Sequence, residues 1–378
     1  VPLTWGDRAR VPLTPEFVLL WLIAGACAIG AANQAKFHRL VALAMLSVVG
    51  LALCITFAWF SAPDLALTQL AVEVVTLVLF LLGLRWMPKR VEQDDPGTAT
   101  RAWWRRRRDL LLAAAMGFGL SALSYALLTR QAPLSISPFF LEKSLPEGGG
   151  TNVINVMLVD FRAFDTLGEI TVLGIVGLTV FALLRRFRPA QEAMEPTDQQ
   201  RAPVATTGAD LVDRDGDGDD HLPPYLEVPA VLVRLLLPVA GLFAFHLFMR
   251  GHNQPGGGFV AGLVVAIAFI AQYMVSGTRW VEARMHLLPT RWIAFGLLVA
   301  LVTGLGSLAL GHPFLTTHTA HVTWPLVGEV HLPTAAIFDL GVFAVVVGST
   351  LLLLTAIAHQ SLRARRRQGL AVGLGRDA

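Results

Sequence analysis

Charge is scarce in this chain. Only 15% of its 378 residues are Asp, Glu, Lys or Arg, while 54% are hydrophobic. A soluble domain carries nearer a quarter of charged residues, so that class is excluded. A mean hydropathy of +0.59 points instead to a polytopic membrane protein. Cysteine is almost missing. Cys27 and Cys54 both lie inside apolar runs, which excludes a disulfide framework and leaves two free, inert thiols. There is no CxxC and no haem-attachment signature, so any redox centre would have to sit in a partner. No cleavable signal precedes the first apolar run, and the first residue is Val rather than Met. Both features lead us to expect a piece of a longer protein. His312, His318, His321 and His331 share one segment, but their spacing matches no zinc-ligand pattern. No metal and no cofactor is expected.

What the chain does have is long apolar runs. Nine windows near 20 residues are expected to span a membrane: about 17–32, 38–60, 64–84, 109–129, 166–184, 229–249, 257–276, 292–311 and 334–358. The expected fold is therefore an all-α polytopic membrane protein. The stretch from Asn152 to Leu184 is too long for one straight span. Its first half, NVINVMLVDFRAFD, reads as an interfacial or broken helix. Residues 189–226 are rich in Pro, Gln, Thr and Asp and read as a flexible acidic linker. They divide a five-span half, 1–188, from a four-span half, 227–360, which a basic tail, 361–378, follows. Within the linker, Asp213, Asp215 and Asp217 imitate the start of an EF-hand loop. Its twelfth position is Pro224 rather than Glu, so calcium is not expected.

Of 30 Lys and Arg residues, 23 fall in or beside one alternating set of connections: 33–37, 85–108, 185–228, 277–291 and the tail. Five fall on the other side. The positive-inside rule makes the rich side cytoplasmic. The run Trp103, Trp104 and Arg105 to Arg108 then reads as an anchor near anionic lipid rather than a nucleic-acid site.

The residues that could carry chemistry are acids within the spans. Glu73 lies about 14 Å along the third span, close to the bilayer midplane. A carboxylate there costs at least about 2.5–3.5 kcal/mol, so it reads as functional. Gln69, Glu73 and Thr76 share one face, with Asp64 and Thr68 on roughly the opposite one. A helix polar on two faces at two depths suits ions handed between neighbours. In the fifth span Asp160, Arg162, Asp165, Thr166 and Glu169 crowd the outer half. Arg162 can pair with Asp165, which leaves Glu169 without a local partner. His246, near the outer end of the sixth span, can titrate near neutral pH. Asp339 lies a few residues into the last span, again acidic and partly in lipid, and Arg234 reads as structural. His252, Asn253, Gln254, Pro255, Gly256, Gly257, Gly258 and Phe259 form a tight turn. Its glycines let the backbone enter the membrane region or meet a neighbour closely.

These motifs resemble the Mrp family of multisubunit cation/proton antiporters. FSAPDLALTQLAVEVVTLVLFLLGLRWMPKR and NVINVMLVDFRAFDTLGEITVLGIVGLTVFALLRR look like the carboxy-terminal region of the large A subunit, and GHNQPGGGFVAGL looks like the B-subunit signature. The order is similar to the fused A/B subunit of some bacteria, with the larger part of A preceding Val1. The resemblance implies a non-enzymatic transporter component in a bacterial inner membrane. It would exchange cytoplasmic Na⁺, or alternatively K⁺ or Li⁺, for external H⁺. Its partners would be other Mrp-type membrane subunits and the lipid bilayer, with no nucleic acid. Asp64 and Glu73 match acidic positions implicated in ion transport, and Glu169 matches the Glu of LGEITVL. His252, Pro255 and Phe259 match the turn motif. One departure is Trp86, where the family often has His. Two alternatives stand beside this reading: a non-conducting scaffold of the same complex, and a membrane arm of an energy-converting hydrogenase or complex I-like enzyme.

Overall fold

The computed structural model describes residues 14–35, 38–84, 96–129, 135–186, 227–276, 278–285, 288–324 and 328–374. The linker, the EF-hand-like stretch and Trp86 lie outside the described residues. The elements are α1 (Pro15–Gln34), α2 (Arg39–Trp59), α3 (Pro63–Leu84), α4 (Pro96–Thr129), α5 (Ser137–Lys143), α6 (Val153–Val156), α7 (Ala163–Arg186), α8 (Glu227–Arg250), α9 (Gly258–Ser276), α10 (Thr278–Arg284), α11 (Pro289–Ala309), β1 (Thr319–Trp324), β2 (Gly328–Pro333) and α12 (Ala335–Leu374).

Among the described residues nine helices are long and apolar enough to cross a membrane. They match the nine expected windows in number and order. Proline opens several of them, including α3 and α11, where its missing N–H has no intrahelical partner to lose. The fourth begins earlier than expected. α4 is helical from Pro96, and its apolar span runs Trp103–Thr129, so the basic cluster lies on the helix. Arg107 stacks over the Trp103 ring at 3.7 Å. The broken helix before the fifth span is present: α6 passes into a π turn, Met157–Phe161, and α7 restarts at Ala163. The segment between α11 and α12 folds as a hairpin, with β1 antiparallel to β2 and His321 opposite His331 in register. Where the sequence reading ended the last span, α12 continues as helix to Leu374.

The chain divides into two compact units. One comprises residues 1–22 and 89–139, with the start of α1, all of α4 and the start of α5; the other comprises residues 23–88 and 140–378. The second unit carries the site. At its centre is α12, which packs on α7, α9 and α11, while α9 also meets α3 and α8. Lipid tails offer no hydrophobic contrast, so these contacts depend on close approach. Small residues supply it. A Cβ on Gly296 would meet Gly341 O at 2.5 Å, one on Gly348 would meet Pro289 O at 2.8 Å, and one on Gly262 would meet Val346 at 3.0 Å.

The connections assigned to the charge-poor side meet at one end of this unit. Asn152 N–H donates to His252 O (3.1 Å), and Thr151 Oγ1 donates to Asn253 O (2.9 Å). Gly256 N–H donates to Asp64 Oδ1 (3.0 Å), and Thr317 N–H to Asp160 Oδ1 (3.0 Å). At the ends facing the charge-rich side, Glu282 lies 2.6 Å from His359, and Arg234 and Arg284 stack on Trp280. Arg234 is thus held by an aromatic face, in keeping with a structural role.

A carboxylate-lined cavity beneath the glycine turn

The turn between α8 and α9 is bound on several sides. Gly257 N–H donates back to Leu247 O (3.0 Å), and Arg250 Nε donates to Pro255 O (2.8 Å). Gly257 has φ +99°, a conformation side chains rarely adopt. A Cβ there would also strike the Asn155 amide at 2.7 Å. The next residue, Gly258, is the first of α9, and its N–H donates to Asp339 Oδ2 at 2.7 Å. The buried Asp339 carboxylate therefore sits at the positive end of a 19-residue helix. A Cβ on Gly258 would collide with the backbone oxygen of Asp339, so only glycine permits this approach.

Asp64, at the start of α3, reaches the same turn. Besides the Gly256 N–H, its two oxygens face Asn152 Nδ2 at 3.4 and 3.2 Å. Asn152 caps α6, accepting from Asn155 N–H at 3.3 Å, and its amide also lies 3.0 Å from both Gly251 O and Gln254 O. One asparagine thus joins α3, α6 and the glycine turn. Thr68, one turn below Asp64, donates to the Asp64 carbonyl.

Below the turn lies a cavity of about 640 Å³. Its walls are mostly apolar, from Ile154, Leu158, Ile170, Leu173, Phe259 and Val342 among others. Three carboxylates from three helices line it: Asp64 of α3, Glu169 of α7 and Asp339 of α12, with Thr68, Thr166 and Asn155. Among the described residues lining it there is no Lys, Arg or His. The π turn shapes one wall, where Thr166 Oγ1 donates to Leu158 O at 2.6 Å. Acids with oxygen-bearing neighbours and no basic side chain among the described lining residues suit a monovalent cation or a proton.

Of the residues expected to act, Asp64, Thr68, Glu169, Asp339, Gly256, Gly257, Gly258 and Phe259 come together around this cavity. Others do not line it. The Glu73 carboxylate packs over Gly50 of α2, in the space a Cβ there would take. Gln69 is half-buried on α3, and His246 is exposed on α8. Asp165 is paired with Arg162, as the spacing predicts. Asp160 is engaged by the Thr317 amide. His252 and Pro255 hold the turn from outside, His252 through a 2.8 Å contact of Nε2 with Gly148 O. Asn152 and Asn155 were missed by sequence reasoning. Their signal was an Asn at a helix start, three residues before the next, ahead of an apolar run. Among the described residues no group of three or more His, Cys, Asp or Glu could hold a metal ion.

Known proteins share this architecture. Residues 22–89 match the family described as the D subunit of MBH, and residues 104–201 match the E subunit of MBH. Residues 228–352 match a domain related to the MnhB subunit of Na⁺/H⁺ antiporter. A probable K⁺/H⁺ antiporter A/B subunit of Rhizobium meliloti (strain 1021) is 52% identical over 384 residues, covering 100% of this chain and 38% of that protein. The chain thus spans little more than a third of that relative. The Na⁺/H⁺ antiporter B subunit of Alkalihalophilus pseudofirmus is 39% identical over 131 residues, which is 91% of that protein and 35% of this chain. The solved Mrp complex from Dietzia sp. DQ12-45-1b aligns with 94% of this chain and 36% of its own, with a TM-score of 0.74 and 28% identity. Likeness along the whole of this chain to part of an A/B subunit, coverage of a B protein nearly end to end and the shared fold agree: this chain belongs to the Mrp-type family of multisubunit cation/proton antiporters.

Proposed function

We propose that the chain is the carboxy-terminal A region joined to the B region of an antiporter complex in a bacterial inner membrane. There it works with other membrane subunits to exchange a cytoplasmic alkali cation, Na⁺ or K⁺, for external protons. Glu169 and Asp339 bind either the cation or a proton, and protonation releases the cation. Asp64 holds the glycine turn in place. The observation that carries this reading is the convergence of three carboxylates from α3, α7 and α12 on one cavity free of basic side chains among the described residues. Asp64 is set apart because both its oxygens are engaged, by Asn152 and the Gly256 N–H, whereas the Gly258 N–H holds one oxygen of Asp339.

The test uses everted vesicles carrying the whole complex. NaCl or KCl is added after respiration has built a pH gradient, and complex abundance is measured in parallel. Asp339→Asn and Glu169→Gln should abolish collapse of the gradient at normal abundance. Asp64→Asn should lower abundance first. Full exchange in both Asp339→Asn and Glu169→Gln would leave this chain a scaffold and move the path to its partners.

A further inference from the structure

A second, smaller pocket lies on the other side of Asp339. It has a volume of about 110 Å³ and is lined by Gly149, Met249, His252, Asn253 and Ala336, among others. That is room for a few water molecules at about 30 Å³ each. Three of its lining residues, Gly149, His252 and Asn253, belong to the connections that meet at the charge-poor end. Three residues face both this pocket and the large cavity: Asn155, Val159 and Asp339. The partition between the two spaces is therefore one side chain thick.

The polar part of that partition closes on a single point. The position a Cβ would occupy on Gly257 lies 2.7 Å from Asn155 Nδ2 and 3.4 Å from Asp339 Oδ2. An amide and a carboxylate thus flank the same bare backbone atom, where any side chain would plug the gap. Asn155 has a chemistry suited to both states of such a gap. Its N–H groups can face an anionic oxygen, and rotation of the amide presents a carbonyl oxygen to a cation.

We propose that the small pocket is the external mouth of the large cavity, and that Asn155 and Asp339 form the gate between them for a monovalent cation or proton. The inference rests on the ion-binding reading above, but it assigns a route and a gating residue that reading does not contain. A cation leaving Glu169 for the mouth passes the Asp339 carboxylate and the Asn155 oxygen as it regains its water shell, and a proton from outside takes the same path inward. Apolar Val159 completes the partition, so passage requires the two polar groups to move.

The route is tested by cysteine labelling of the assembled complex, with Cys27 and Cys54 replaced by serine. Ala336→Cys reports the mouth, and Val342→Cys, which lines only the large cavity, reports the far side of the gate. The probes are a membrane-impermeant trimethylammonium methanethiosulfonate and its sulfonate counterpart. In right-side-out vesicles Ala336→Cys should react readily with the cationic probe and Val342→Cys slowly. Adding Asn155→Ala should speed Val342→Cys about tenfold, as an open state near 1% becomes one near 10%. High NaCl or KCl should slow the cationic probe at both positions, and the sulfonate should lag at both. Asn155→Ser gives the same reading where Asn155→Ala lowers complex yield. Labelling of Val342→Cys that ignores both Asn155 variants overturns the gate. Labelling of Ala336→Cys only in everted vesicles overturns the external mouth. Either result, beside loss of exchange in Asp339→Asn, leaves the ion-binding reading standing and removes the route.

Discussion

Replacing Asn152 with alanine should loosen the glycine turn without unfolding the helices around it. The amide of Asn152 has two N–H groups facing four oxygens: both Asp64 carboxylate oxygens, Gly251 O and Gln254 O. Its own oxygen caps α6. Loss of an asparagine cap costs about 1 kcal/mol, and loss of a hydrogen bond to a charged group about 1.5–3 kcal/mol. The local opening free energy of the turn should therefore fall by about 2–4 kcal/mol, since the two contributions partly overlap. At 1.4 kcal/mol per factor of ten, that is about 30- to 1,000-fold faster amide exchange. Hydrogen–deuterium exchange on the purified complex reads it at two amides: Gly256, which donates to Asp64, and Gly257, which donates to Leu247 O. Amides in α11 serve as controls and should not change. Unchanged protection at Gly256 and Gly257 would refute the idea that Asn152 holds α3, α6 and the turn together.

Three further outcomes are expected. Gly258→Ala forces a Cβ into the Asp339 backbone and to 2.7 Å from its carboxylate, so it should lower stability by about 1–3 kcal/mol, read as reduced thermal stability and yield of the complex. Glu73 and Gly50 should behave as a coupled pair, because a Cβ on Gly50 displaces the Glu73 carboxylate. A double-mutant cycle of Gly50→Ala and Glu73→Ala on complex stability should give about 0.5–3 kcal/mol of coupling, and strict additivity would deny the contact. The Glu147 carboxylate, 2.6 Å from Lys143, raises the Lys143 pKa. A cation whose folded-state pKa is raised contributes fully at and below the ordinary lysine range and loses its contribution as pH rises through the folded value. Melting of wild type and Glu147→Gln should therefore differ by the same amount at pH 6 and pH 8.

The membrane spans were legible because a 20-residue apolar window is a local property, as α9 and α11 illustrate. The acids were legible one at a time, since a carboxylate in lipid is conspicuous wherever it occurs. Their grouping was not. Asp64 and Gly256 are 192 positions apart, and Gly258 and Asp339 are 81 apart, so no periodicity links them. Glu73 drew the eye by its depth, yet its carboxylate faces Gly50 on a neighbouring helix, which a count along α3 does not show. Asn152 and Asn155 were not legible because an asparagine at a helix start is an ordinary cap, and nothing local says that Asn152 also reaches the start of α3 and the glycine turn. The hairpin of β1 and β2 was not legible, because the β-branched residues Thr319, Val322 and Thr323 lack the alternation of a strand.

The length of α12 has a mechanical consequence. At 40 residues it is about 60 Å long, twice the thickness of a hydrocarbon core. Asp339 stands one turn from its first residue, so the site sits at the tip of a stiff rod whose far end lies well beyond the span. A tilt of about 5° pivoting at Asp339 would sweep that far end through about 5 Å. Leverage runs the other way as well: a partner gripping the distal turns of α12 holds a long arm over a short one, and a modest pull there turns the helix around the carboxylate that α9 restrains.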